Sequence, residues 1–279
     1  MLNRPGNSHK YDYGHVLVVG GSPGMVGAPL LAAMAALRTG AGLATIAASG
    51  DVTDKLEKRV EEVMTLSLPS DVTRAADTIA DFIAKRKVSV LIIGPGLAVT
   101  PETRGLIERL LESVKLPVII DGGGLGALQQ HLDRLDSASS KAITLTPHEG
   151  EFQRLVGQRL PAERPDLKPL AAAFAEDHGV TLVLKGHPTY VVHSDGSVYE
   201  NETGNAGLAT AGTGDVLSGI IGGIIAQGVE PGAAAIAAVY LHGLAGDIAA
   251  EQKTEPGMIA TDVIDAIPAA LKHIENHGA

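Results

Sequence analysis

Five residues, Ala211-Gly212-Thr213-Gly214-Asp215, combine the parts of a phosphoryl-transfer site. They follow a turn-rich stretch and open the apolar run Val216 to Ala226. A glycine-rich turn at a helix start aims several unpaired backbone N–H groups at one point, an arrangement that binds anions, phosphate above all. A carboxylate beside a phosphate is repelled unless it has a task. One such task is that of a base, taking the proton from a hydroxyl as that hydroxyl attacks a phosphoryl group. Asp215 is the candidate. The same residues also fit a plainer description, a tight turn with Asp215 complementing the helix dipole.

Short β-prone runs alternate with amphipathic stretches along the chain. Expected strands are His15–Gly20, Leu43–Ala48, Val63–Leu68, Val88–Gly94, Leu116–Asp121, Ala142–Thr146, Thr181–Lys185, Tyr190–His193 and Val198–Asn201. Expected helices are Gly27–Thr39, Val52–Glu62, Arg74–Arg86, Pro101–Val114, Glu149–Val156, Leu167–Asp177, Gly214–Gln227, Ala233–Glu251 and Ala260–Asn276. Strands such as Val90-Leu91-Ile92-Ile93 are apolar without alternation, the mark of a parallel sheet covered on both faces. The turn Ser194-Asp195-Gly196-Ser197 between two short β-prone runs predicts a hairpin. The expected fold is therefore α/β, a three-layer α-β-α arrangement. Its central sheet is largely parallel, with antiparallel strands at one edge. One domain is expected over residues 1–279, with 1–9 flexible and Gln158 to Pro169 a solvated connector.

In such sheets ligands collect at the C-terminal ends of the strands. Gly20-Gly21-Ser22, Gly94-Pro95-Gly96, Asp121-Gly122-Gly123-Gly124, Thr146 to Glu151 and Lys185-Gly186 all fall at expected strand ends. Together with Asp215 they predict one large cleft.

Composition narrows the ligand. A net charge of −10 argues against a nonspecific grip on DNA or RNA, which needs clustered Lys and Arg. It leaves room for a nucleotide. There is no Trp, with three Phe and five Tyr, so an adenine ring is expected between aliphatic side chains. With no Cys, thiolate catalysis and Cys-bound zinc are excluded. Met1 to His9 lacks an apolar signal core, and apolar runs such as Ile220 to Ile225 are too short for a bilayer. A soluble cytoplasmic protein is expected, without membrane or nucleic-acid partners.

The combined segments resemble the ADP- or ATP-dependent NAD(P)H-hydrate dehydratases of the ribokinase-like superfamily. The resemblance rests on Val18 to Ser22, Gly24 to Ala28, Ala35 to Gly42, Gly94 to Leu97, Thr146 to Glu151, Leu184 to Gly186 with Thr189, and Gly204-Asn205 through Asp215 to Gly219. It spans Lys10 to Leu271 in family order; the Gly-Thr-Gly-Asp piece alone is shared with vitamin and sugar kinases. The epimerase domain often fused upstream in this family is not expected here.

The resemblance implies repair of the hydrated coenzymes NADHX and NADPHX (S epimer). The hydroxyl on carbon 6 of the reduced nicotinamide would be phosphorylated by ADP or ATP and the phosphate eliminated; with ADP the products are AMP and phosphate. It implies Asp215 as the base and the N–H groups of Gly212, Thr213 and Gly214 as the anion hole. Lys185, Gly186, His187, Pro188, Thr189 and Gly214 would hold the nucleotide. Ala28, Gly96, His148 and Asp215 would contact the hydrate, small residues at the first two allowing close approach to the backbone. His148 read alone is a turn or cap residue, and it is given substrate contact rather than proton transfer. Glu151 is implied in holding Mg2+ through water, or else it is an N-terminal helix charge. His242 and the other histidines are expected to be structural. A homotetramer is implied by family likeness.

The chain departs from the family at Asp121-Gly122-Gly123-Gly124-Leu125-Gly126, where a pattern like Asp-Ala-Asp-x-Leu-Asn is common. The second carboxylate and the Asn are missing. Another local departure stands at Lys10-Tyr11-Asp12-Tyr13-Gly14. Two other functions use the same motif: a ribokinase-like kinase of a hydroxyalkyl vitamin precursor, and a non-catalytic nucleotide-binding relative.

Overall fold

Each expected strand forms, within about two residues of its expected ends. The computed structural model describes residues 4–157 and 166–278. The chain runs through β1 (His15–Val19), α1 (Gly27–Thr39), β2 (Leu43–Ser49), α2 (Gly50–Leu56) and β3 (Met64–Leu68). It continues with α3 (Val72–Arg86), β4 (Val90–Ile93), α4 (Pro101–Ser113), β5 (Val118–Ile120), α5 (Gly123–Leu128) and α6 (Asp133–Asp136). Next come β6 (Ile143–Leu145), α7 (Glu149–Val156), α8 (Lys168–His178), β7 (Thr181–Leu184), β8 (Thr189–Val192) and β9 (Val198–Asn201). Three helices close it: α9 (Thr213–Ala226), α10 (Pro231–Lys253) and α11 (Ala260–His277).

The strands form one sheet in the order β3-β2-β1-β4-β5-β6-β7-β8-β9. Pairing is parallel from β3 to β7 and antiparallel from β7 to β9. The direction of strand order reverses between β1 and β4. Their C-terminal loops part there and leave a crevice, the usual place for a ligand.

Alternation sorts the core into two layers. Val16, Val18 and Ile92 point to one face and pack under α1, α2, α9, α10 and α11. Leu17, Val19, Leu91 and Ile93 point to the other, under α3 to α8. Strands β1 and β4 are buried on both faces, which explains their unbroken apolar runs. Helix α10 has the length and apolarity of a bilayer span. Its Ala234, Ala235, Ala238, Leu241 and Ala245 are nonetheless buried in the first layer.

The helix containing the Asp215 motif is positioned by small residues. Gly219 and Gly223 of α9 lie four apart and face Ala32 and Ala36 of α1, also four apart. A Cβ added at Gly219 would stand 2.1 Å from the Ala32 carbonyl oxygen. The two helices therefore touch backbone to backbone, and the start of α9 is held beside the start of α1.

Some elements differ from expectation. The helix expected over Val52–Glu62 stops at Leu56, with Glu57 as its C-cap. Helices α5 and α6 form where only loop was expected. Of the expected connector, 158–165 lie outside the described residues; Lys168 and Pro169 already belong to α8, proline taking a first-turn position that needs no N–H partner. Of the N-terminal stretch expected to be flexible, 1–3 lie outside the described residues. Arg4 donates to the Gly40 carbonyl and stacks 3.9 Å over the Tyr13 ring.

Gly219→Ala should destabilise the fold by about 3 kcal/mol, since the new methyl meets backbone that cannot swing away. Urea denaturation checks this. A loss within experimental error would mean that the α1–α9 contact is not close-packed.

Candidate active site

The loops after β5, β6 and β7 neighbour one another because their strands do. They bring Asp121, Glu151 and Lys185 together. Lys185 Nζ donates to Asp121 Oδ1 at 3.0 Å and lies 3.9 Å from Glu151 Oε2. The other Asp121 oxygen accepts from Ser218 Oγ of α9 at 2.5 Å. Asp121 is 2 % exposed, so its charge is satisfied from both sides. The Lys185 side chain is 20 % exposed and is no free surface lysine. It reaches the start of α9, where a Cβ added at Gly214 would lie 3.1 Å from Nζ. Burial pulls the Lys185 pKa down, but Asp121, Glu151 and Asp215 outweigh that and hold it above the usual lysine value.

Asp215 lies in the first turn of α9, partly exposed. A helix N-terminus normally favours a carboxylate. Here burial is the larger influence, the neighbouring Asp121 adds to it, Lys185 opposes and Glu151 adds a little. The result is a carboxyl pushed up to about 7. A base poised near neutral pH is what proton abstraction from an alcohol at that pH requires.

The amide cradle at the start of α9 is shifted slightly from the expected set. Gly212 takes a left-handed conformation, φ 93°, and caps the helix. Thr213 N–H turns back to the Thr210 carbonyl at 3.4 Å, whereas Gly214 and Asp215 N–H have no acceptor among the described residues. The amides open to an anion are those of Gly212, Gly214 and Asp215.

A cleft of about 680 Å³ opens beside this helix start. Lys185, Gly186, His187, Pro188, Thr189 and Gly214, the residues that the resemblance assigns to the nucleotide, all line it, and so does His148. The far wall comes from Asn201 to Ala209, from Leu217, and from Val239, His242 and Gly243 of α10. Asp215, Ala28 and Gly96 do not line this cleft. Ala28 and Gly96 meet each other at the crevice between β1 and β4: a Cβ added at Gly96 would lie 3.1 Å from Ala28 Cβ. Leu31, one turn on from Ala28, borders Gly212, where an added Cβ would be 2.6 Å from Leu31 Cδ1. The Asp215 turn thus stands between two concave regions.

His148 caps α7. Its Nδ1 accepts from Gly150 N at 3.0 Å and Glu151 N at 3.3 Å, while Glu151 Oε2 accepts from His148 N at 2.9 Å. Its Nε2 therefore carries the proton on an exposed edge. The cap description of His148 and the first-turn description of Glu151 both hold, and Glu151 additionally faces Lys185.

The triple glycine after β5 has a steric reason. A Cβ at Gly123 would be 2.1 Å from the Leu97 carbonyl oxygen, and one at Gly126 would meet Val99 Cγ2 at 2.6 Å. With side chains gone, α5 packs directly on the loop after β4. That leaves Asp121 as the only carboxylate of this segment.

Three groups escaped the sequence. Ser218 reads as an ordinary helix residue, and only the structure turns it onto Asp121. His242, expected to be structural, lines the cleft and donates from Nε2 to the Thr213 carbonyl at 3.0 Å. Asp247 accepts from Gly204 N and Asn205 Nδ2, each at 2.9 Å, and holds the loop that walls the cleft. The spacing His242-Gly243 and Gly246-Asp247 in an otherwise apolar helix was the available signal.

Comparison with known proteins agrees with this geometry. The sequence profile of the NAD(P)H-hydrate dehydratase family matches residues 16–269. The chain belongs to that family. It is 44 % identical over 278 residues to the bifunctional NAD(P)H-hydrate repair enzyme Nnr of Moorella thermoacetica, covering 99 % of this chain and 52 % of that protein. To the ADP-dependent (S)-NAD(P)H-hydrate dehydratase of Neisseria meningitidis it is 36 % identical, covering 94 % and 86 %. The ADP/ATP-dependent NAD(P)H-hydrate dehydratase of Bacillus subtilis, crystallised with ATP and Mg2+, superposes with a TM-score of 0.83 at 30 % identity, covering 97 % and 93 %. The chain thus spans about half the length of the bifunctional relative. A ribokinase-like superfamily protein of Enterococcus faecalis superposes with a TM-score of 0.82 at 32 % identity, covering 97 % and 91 %, so the expected ribokinase-like fold is the one observed.

The raised pKa of Asp215 is a statement about stability. Its folded value, about 7, lies above the ordinary 3.8, so the stabilisation is complete below about pH 4 and is lost as pH rises through 7. Asp215→Asn should therefore be more stable than the native protein at pH 8, by about 1–3 kcal/mol after solvent screening, and level with it near pH 4. Thermal melts across this range check the sign. An advantage that does not change with pH would remove the perturbed carboxyl.

Proposed function

We propose that this protein dehydrates the S epimer of NADHX and NADPHX, using ADP or ATP as phosphoryl donor. The observation that carries the reading is the meeting of three things at one helix start: a carboxyl poised near neutral pH, open backbone amides, and a lysine held in a nucleotide-sized cleft. The nucleotide lies in the cleft against Lys185 and the 186–189 turn. The damaged nicotinamide enters from the crevice at Ala28 and Gly96 and meets the nucleotide at the Asp215 turn, while the exposed edge of His148 faces it from the cleft side.

Asp215 takes the proton of the carbon-6 hydroxyl. The hydroxyl oxygen bonds to the terminal phosphorus of the nucleotide, and the bond to the leaving AMP (or ADP, from ATP) breaks. The amides of Gly212, Gly214 and Asp215 hold the transferring oxygens, and Lys185 offsets their charge. Loss of phosphate from carbon 6, together with a proton from carbon 5, restores the ring double bond. Phosphate leaves far more readily than hydroxide.

Three carboxylates, Asp121, Glu151 and Asp215, surround the single Lys185 ammonium, so the site has negative charge to spare for a cation. Among the described residues no cluster of three close ligands forms. Glu151, facing Lys185 at the cleft, would hold Mg2+ through water, and the ion would supply neutralisation of phosphate charge.

Incubation with hydrated NADH and ADP or ATP should restore the absorbance of NADH. Flat absorbance with both, alongside phosphorylation of a vitamin alcohol, would make the protein a kinase instead. Asp215→Asn should cut kcat by about 10²–10⁴ while the nucleotide still binds. In the native enzyme kcat/KM should fall about tenfold per unit below pH 7, because the base must be ionised. Lys185→Ala should raise the KM for nucleotide; an unchanged KM would take it out of the phosphate contact.

A further inference from the structure

One ring nitrogen in the cleft has no assigned task. The Thr213 carbonyl can only accept, so the 3.0 Å bond to it places the His242 proton on Nε2. Nδ1 is then left with a lone pair and no proton. Among the described residues nothing donates to it. The other polar side chains of the inner cleft are already engaged. Asn201 and Thr203 bond to each other, and Thr203 donates to the Tyr240 carbonyl at 2.9 Å. Asn205 is taken up by Asp247 and Gly207 N, and Thr213 Oγ1 by the Leu208 and Thr210 carbonyls. His187 has no such bond, but it is exposed at the mouth. The neighbouring wall is apolar: Leu208, Leu217 and Val239.

From this we propose that His242 is the base-reading residue of the cleft, its Nδ1 accepting a hydrogen bond from the 6-amino group of adenine. Resting on an adenine nucleotide occupying the cleft as proposed above, the assignment goes further and names how adenine is told from other purines. A fixed acceptor on an apolar wall demands a donor from its ligand. Adenine offers an amino group at position 6. Hypoxanthine and guanine put a carbonyl oxygen there, which would set lone pair against lone pair. The imidazole cannot adapt by taking a second proton, since burial holds it down to about 4, reinforced by the nearby Lys185 charge and only partly countered by the Thr213 bond. Nor can it swap tautomer without leaving the Thr213 carbonyl facing another lone pair. Sites built around one buried hydrogen bond reject a partner that cannot make it far more strongly than apolar pockets reject a misfit.

The cleanest test leaves the protein intact. Calorimetric titration with MgADP and with MgIDP compares two ligands that differ at position 6 of the base and in the proton that the 6-oxo form carries on N1. IDP should bind at least about tenfold more weakly. His242→Ala should bring the two affinities within about threefold. His242→Asn, whose amide can offer N–H to a carbonyl, should do so too or invert the preference. If the native protein binds both nucleotides equally, or the variants weaken both while keeping the native ratio, His242 is only the pin of the Thr213 carbonyl and the proposal is overturned. Binding is read without hydrated coenzyme. Failed turnover beside intact discrimination would therefore count against the reaction and not against this assignment.

Discussion

Everything at this site depends on one ammonium placed among three carboxylates. Asp121 is almost wholly withdrawn from water, and a buried anion is costly unless paired and hydrogen-bonded. Lys185 supplies the charge and Ser218 the second hydrogen bond. The pair links the end of β5, the end of β7 and the first turns of α9. It fixes the lysine beside the open amides at the start of α9. Burial first, and then the charge of Asp121 beside it, raise the Asp215 carboxyl against the pull of the helix dipole. Stability is given up at Asp215, where ionisation works against folding, and the reaction proposed would use that same raised basicity.

The second constraint is steric. Backbones must come within contact distance at α1–α9 and at the α5 approach to the loop after β4. Gly219 and Gly123 permit it because no side chain stands in the gap. The departure from the family pattern at Gly123 is thus coupled to packing. A carboxylate there would have to displace the Leu97 carbonyl.

These constraints divide the active face into two halves. The crevice where strand order reverses is lined by Ala28 and Gly96, small enough for a large ligand to reach the main chain. The deeper cleft is walled by the 201–209 loop and α10. Asp247 holds that loop by two hydrogen bonds, and His242 holds the first carbonyl of α9. Helix α10, which looks like plain core by composition, therefore shapes the cleft. The Asp215 turn is the boundary between the halves, and group transfer across a boundary is the reaction proposed.

Local pattern alone determined the strands, the hairpin, the sheet edge along which the glycine and polar clusters meet, and Asp215 with its glycine turn. Unbroken apolar runs, an Asp-Gly turn and a glycine-flanked helix start are short-range signals that need no knowledge of the fold. Helix α5 was not legible, because three glycines disfavour a helix until a neighbouring loop supplies the contact. The amides that open to an anion, Gly214 and Asp215 rather than Thr213, depend on the direction of one turn. The pairing of residues 121 and 185, 64 positions apart, and of 121 and 218, 97 apart, exists only once the strands are ordered. Tertiary structure also decided what His242 and Asp247 face. A side chain on a buried helix carries no local sign of whether its neighbour is core or cavity; only the arrangement of the other elements settles that.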